Sequence, residues 1–135
     1  MKKRLKVWHV ANSFHYAGTD RAMALWARSL DKQVFEVSAY SRGTGGPRLE
    51  ELKKARIPAK VLGPNLGAWD AAFKKGAPDI LHAHRHGEED AGWAALCGLA
   101  RQRGTRVIVE TNVFGERRRS EGPASPDVMG YMSTF

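Results

Sequence analysis

Leu5-Lys6-Val7-Trp8-His9-Val10, followed by the small and polar run 11–18 and then by Thr19-Asp20-Arg21 at the head of a patterned helix, is the stretch that decides the fold. A strand, a turn carrying Gly18 and a helix N-terminus in that order form the unit with which α/β proteins hold phosphorylated ligands. The reason is electrostatic: the first helical turn leaves N–H groups unpaired and the dipole positive, and glycine lets a ligand approach the backbone. Met23, Trp26, Ala27 and Leu30 recur at helical spacing and make one predicted apolar face, with Arg21 and Arg28 on the other side. Thr19 is the predicted N-cap, and Asp20 puts a negative charge in the first turn. A lone Gly18 is not the glycine-rich fingerprint of dinucleotide binders, so spacing alone leaves a ligand seat and a purely structural turn both open.

Outward from this unit the pattern repeats. Residues 33–40 alternate and are rich in β-formers, 41–46 form a glycine-rich loop, and 48–56 carry Leu49 and Leu52 on one side of a short helix opened by Pro47. A third strand is predicted at 59–62 and a helix at 66–75, with Trp69, Ala72 and Phe73 inward and Gly76 as C-cap. A fourth strand at 80–84 precedes a helix that begins at Glu88-Glu89-Asp90 and reaches Arg103; a fifth strand follows at 106–111. Alternation of this kind calls for an α/β, Rossmann-like parallel sheet with helices on both faces and ligand groups at the carboxyl ends of the strands. Beyond Gly115 the pattern lapses into a basic, proline-bearing loop at 117–126, and a sixth strand begins at 127–133. A single domain over 1–135, truncated just as its sixth strand starts, is the expected organisation, because a core strand without its covering helix leaves an open edge.

Composition fits this picture. With 135 residues, 42% hydrophobic and 27% charged, the chain can bury one real core. Cys97, the only cysteine, excludes a disulfide framework and reads as a small buried residue among Ala95, Leu96 and Leu99. Met1-Lys2-Lys3-Arg4 imitates a signal-peptide head, but His9, Asn12 and His15 break the run behind it, so a cytoplasmic location is expected.

The net charge of +8, from 22 Lys and Arg against 14 Asp and Glu, favours anionic partners. The positive charge gathers at 2–6, 53–60, 101–106 and 117–119, without interleaved aromatic residues or a recognisable nucleic-acid motif. Nucleic acid is therefore the weaker expectation. Lys53, Lys54, Arg56 and Lys60 behind the short helix, with Arg117, Arg118 and Arg119, fit peripheral contact with an anionic membrane or merely a solvated surface.

His82, His84 and His86 alternate, so all three can share one face of a strand. No carboxylate stands at a recognised metal-ligand spacing, and His9 and His15 are the only other histidines, so no metal is expected. His82 reads as a packing residue and His86 as loop, while His84, at the strand's carboxyl end, is the candidate hydrogen-bond donor or general base.

Taken in order, Lys6-Val7-Trp8-His9-Val10, Ala17-Gly18-Thr19-Asp20-Arg21, Pro78-Asp79-Ile80-Leu81-His82-Ala83-His84 and Val107-Ile108-Val109-Glu110-Thr111-Asn112-Val113-Phe114-Gly115 resemble the N-terminal half of a retaining glycosyltransferase of the GT-B fold, family 4 type. The resemblance covers nearly the whole chain. It implies an acceptor-side domain that faces a nucleotide-sugar donor and a glycan, lipid-linked or small-molecule acceptor, with no cofactor. By resemblance Gly18 and Thr19 lie against the donor diphosphate or transferred sugar, His84 is catalytic and meets acceptor or sugar, and His15 and Asn112 line the acceptor side. Two departures from the family pattern stand out: Ala17-Gly18 and Asp20 replace a glycine pair followed by Glu, and the histidine often found near Asn112 is missing. The family's donor-gripping residues belong to a C-terminal domain, so this half is expected to be inactive alone and to need that half in trans or in a longer chain. The alternative from another class is a non-catalytic basic α/β domain that binds an anionic ligand or nucleic acid. A receiver-like or flavodoxin-like domain is a third option, and the lack of an acidic cluster after the first strand speaks against a receiver.

Overall fold

Six parallel strands form one sheet in the order β3-β2-β1-β4-β5-β6. The structure, a computed structural model, describes residues 3–85, 90–112, 122 and 125–131. The elements run β1 (Leu5–Ala11), α1 (Gly18–Ser29), β2 (Phe35–Ser41), α2 (Arg48–Lys54), β3 (Ala59–Val61), α3 (Leu66–Gly76), β4 (Ile80–Arg85), α4 (Ala91–Gln102), β5 (Val107–Asn112) and β6 (Val128–Tyr131). Strand order reverses between β1 and β4, the kind of switch point beyond whose strand ends open α/β sheets bind ligands.

Period-two alternation sends successive side chains to opposite faces, and each face has its own core. Trp8, Val10, Leu81, Ala83 and Ile108 pack against Trp69 and Phe73 of α3 and against Trp93, Leu96, Cys97 and Ala100 of α4. On the other face Ala11, Val37 and Ala39 meet Met23, Ala24 and Ala27 of α1 and Leu52 of α2. Cys97 is fully buried, and burial pushes its thiol up to about 12, so it serves as packing.

Asp79 locks the amino ends of the central strands. Its carboxylate accepts from the Lys6 backbone N–H at 2.8 Å, and its carbonyl accepts from Arg106 and Val107. Asp127 does the same for the last strand, accepting from Ile108 N–H at 2.8 Å.

Several local expectations change. The first helix starts at Gly18, with Ala17 as N-cap and no capping side chain; Thr19 lies inside the helix and is buried. Its inner face is Thr19, Asp20, Met23, Ala24 and Ala27, while Trp26 is 46% exposed. Small residues let the helix sit close to β1 and β4, and that approach turns the bulky Trp26 to the rim. Gly76 is the last residue of α3, and Ala77 is its C-cap. Asp90 caps α4 by accepting from Trp93 N–H at 3.0 Å; the expected acidic turn at Glu88 and Glu89, His86, and the basic loop up to residue 121 lie outside the described residues.

Trp69, 1% exposed, donates its indole N–H to Gly63 carbonyl at 2.9 Å and anchors α3 on the sheet. Trp69→Ala is expected to cost about 3–5 kcal/mol through cavity formation. Chemical denaturation, with the midpoint falling at unchanged slope, checks this.

Candidate functional site

The site is built at the carboxyl ends of β1, β2, β4 and β5. The loop after β1 and the loop after β2 are zipped together by backbone hydrogen bonds: Arg42 N–H to Ala11 carbonyl at 2.9 Å, Thr44 N–H to Asn12 carbonyl at 3.2 Å, and Arg48 N–H to Phe14 carbonyl at 2.9 Å. Gly43 permits this approach, because a Cβ there would stand 2.5 Å from Asn12 carbonyl oxygen. Ser41 Oγ adds a donor to the Thr44 carbonyl at 2.8 Å.

This clamp presents an exposed lip at His15, Tyr16, Ala17 and Gly18. His15 Nε2 lies 3.3 Å from Thr44 Oγ1, its carbonyl accepts from Arg48 Nε at 2.8 Å, and the Arg48 guanidinium sits over the Tyr16 ring. Because Ala17 supplies no capping side chain, the start of α1 offers its first N–H groups to a ligand or to solvent. Asp20 is turned inward, hydrogen-bonded to Ser13 Oγ and to the His15 backbone. Burial raises its pKa above the ordinary carboxylate value, against the lowering by those two hydrogen bonds.

The far wall is cationic and partly neutralised. Arg42 and Asp90 form a two-pronged pair at 2.9 and 3.3 Å, and that hydrogen bonding lowers Asp90 to about 2. Arg85 and Glu110 pair at 2.7 Å in the interior, and both arginines lie over the Trp93 ring. Asn112, fully buried at the end of β5, is the register partner of Arg85.

Beneath the lip, on the α1 face, three imidazoles meet. Parallel register sets His9 beside His82, and the two-residue period sets His84 next along β4. His9 Nδ1 and His84 Nε2 are 3.0 Å apart, and His82 Nε2 is 2.6 Å from Thr111 Oγ1. The His82 and His84 rings stack with centroids 4.3 Å apart, and Trp26 meets His82 edge-on. His9 is fully buried and His84 is 1% exposed; His9 Nε2 and His84 Nδ1 have no partner among the described residues. Burial depresses all three pKa values, His82 to about 4, and the mutual repulsion of charged rings adds to the effect on His9 and His84. The rings are therefore neutral at pH 7.

The fold thus brings Gly18, Thr19, His15 and His84 to the adjacent ends of β1 and β4, with Asn112 one strand further along. Sequence reasoning passed over His9, whose role depends on register across 75 residues, and over Arg42, Asp90 and Thr111. The alternation of His82 and His84 was the one signal available. A separate cleft of about 510 Å³ lies on the opposite face, over β1 and β2 beside α3, and is lined by Trp8 and Tyr40 with Lys6, Lys60 and Lys75. Compared with models of protein families, with curated proteins and with solved structures, the chain finds no match.

The histidine cluster makes stability depend on pH. An unfolded chain binds protons on these rings near the ordinary value of 6.5, whereas the folded rings bind them only at lower pH, so the unfolded state holds more protons in between. Stability is expected to fall as pH drops from about 6.5 toward 4, and His82→Gln is expected to flatten that slope. Thermal melts across this range read the slope directly.

Proposed function

We propose that the chain is the acceptor-side domain of a glycosyltransferase, moving a sugar from a nucleotide-sugar donor to a glycan, lipid-linked or small-molecule acceptor, and that it acts only with a donor-binding half. The observation that carries this reading is the uncapped, exposed start of α1 at Gly18, set at the β1/β4 switch point beside a rigid double-loop lip. Helix N–H groups there suit a diphosphate or the polar edge of a sugar. In this reading Gly18 and Thr19 take the donor side, His15 and Asn112 the acceptor side, and His84 is the catalytic group.

The division of labour sets the test. Purified chain 1–135 is expected to transfer no sugar from any nucleotide sugar, and addition of a donor-binding half of such an enzyme is expected to bring acceptor-dependent transfer. His84→Ala is expected to remove that transfer, and His15→Ala to raise the acceptor KM. Turnover by the isolated chain, or none with any donor half, overturns the reading.

A second reading rests on the lysine-ringed cleft. Lys6, Lys60 and Lys75 around the Trp8 and Tyr40 rings, against the single acidic Glu36, suit a non-catalytic anion binder, nucleic acid included. Ionic strength separates the two, because phosphate-driven binding weakens steeply with salt and recognition of sugar hydroxyls does not.

No helix among the described residues is long and apolar enough to cross a membrane. We place contact with lipid, where the acceptor is lipid-linked, at Lys53, Lys54 and Arg56, exposed on and just beyond α2, while Lys60 lines the cleft on the α3 side. At about 1 kcal/mol for each basic residue near an anionic surface, these three support reversible attachment. Co-sedimentation with anionic but not neutral vesicles is expected, weakened by Lys53→Glu with Lys54→Glu; equal recovery in both supernatants overturns it.

A further inference from the structure

We infer that His9, His82 and His84 form a binding site for a single divalent zinc-like ion, held between β1, β4 and α1. The inference is independent of any glycosyl transfer. One nitrogen from each of the three rings lies within 4.8 Å of the others, close enough for the three to converge on one ion. Three imidazoles with a metal–nitrogen distance of about 2.0–2.1 Å in tetrahedral geometry place their nitrogens about 3.3 Å apart. The His9–His84 pair at 3.0 Å is already near that spacing, and a His82 nitrogen stands in the same group.

The protons of the cluster can rearrange to free two facing lone pairs for one cation. A neutral imidazole carries one N–H and one lone pair. The His9 Nδ1 to His84 Nε2 contact shares one proton, so of the two remaining nitrogens, His9 Nε2 and His84 Nδ1, one is a lone pair and one an N–H. Both are buried, and neither meets a partner among the described residues. A zinc ion in place of the shared proton takes lone pairs from both facing nitrogens and converts a neutral contact into two coordinate bonds. Both outer nitrogens then carry protons.

Thr111 supplies what ligating histidines use elsewhere, a polar partner on the far ring nitrogen that holds the ring in one tautomer. Its Oγ1 is 2.6 Å from His82 Nε2; an N–H donated there leaves the His82 lone pair on Nδ1. The three rings are neutral at pH 7, the state a metal requires. Soft thiolates and hard carboxylates do not complete the set among the described residues, so three imidazoles point to zinc, or to cobalt as its spectroscopic stand-in, over calcium or magnesium.

The test uses the full chain without a histidine tag, stripped with a chelator and titrated with zinc chloride. One equivalent is expected to bind and raise the melting temperature, with reversal by chelator, and cobalt is expected to give the intense visible bands of a tetrahedral site. Thr111→Val is expected to weaken uptake by roughly tenfold or more, the scale on which outer partners of metal ligands act, and His82→Gln, which removes a ligand, by more. His15→Gln is expected to leave uptake unchanged. Ring-nitrogen NMR of the unsubstituted chain answers without relying on a variant that fails to fold: zinc should shift the ring signals of His9, His82 and His84 and leave His15 in place. No saturable uptake, or uptake that shifts only His15 or His86, overturns the inference.

Discussion

Parallel pairing of β1 with β4 is the constraint on which the rest of the molecule depends. A parallel sheet is covered on both faces, so side chains in the middle of its central strands leave water whether apolar or not. On the α3 and α4 face this is met mainly with Trp8, Val10, Leu81 and Ala83. On the α1 face the same strands carry His9, His82 and His84, and burial there disfavours charge on all three. Their neutrality, their close contacts and the acid sensitivity expected of the fold are consequences of one register.

The switch point gives those strands a second role. Because β2 and β4 lie on opposite sides of β1, the loops after β1 and β2 can clamp together on one side of the switch point. The clamp keeps the start of α1 open without a capping side chain, whereas α3 and α4 are capped by Asn65 and Asp90. An uncapped helix start gives up part of a stabilisation worth about 1 kcal/mol, a cost that a ligand's own acceptors can offset. The two buried or half-buried arginine pairs behind it, Arg42–Asp90 and Arg85–Glu110, hold positive charge in place near the switch point while limiting its net field.

The excess of basic residues is divided by this architecture. Lys6, Lys60 and Lys75 gather around an aromatic floor on the α3 side, and Lys53, Lys54 and Arg56 stand in solvent at the α2 end. Net charge alone predicts affinity for anions, but only the arrangement separates a ring of cations around a cleft from a flat basic surface. The first resembles a small-ligand seat, the second a surface for screened, salt-sensitive attraction.

The strands, the helices and their alternation were legible in the chain, because periodicity is a local property: Leu5 to Val10, the β2 alternation and the Trp69 and Phe73 spacing each declare an element without reference to the others. The parallel α/β architecture followed from that alternation, as did the placing of Gly18 and His84 at strand ends. The helix cap and the inward face of α1 were not legible, because the distance between helix and sheet, rather than hydrophobicity, decides whether Trp26 or Asp20 turns inward. Nor was His9, an ordinary strand residue until register sets it beside His82. The sequence by itself determined which segments are strands and helices; the tertiary structure decided which polar side chains share a buried space, since that depends on register between segments that no local pattern encodes.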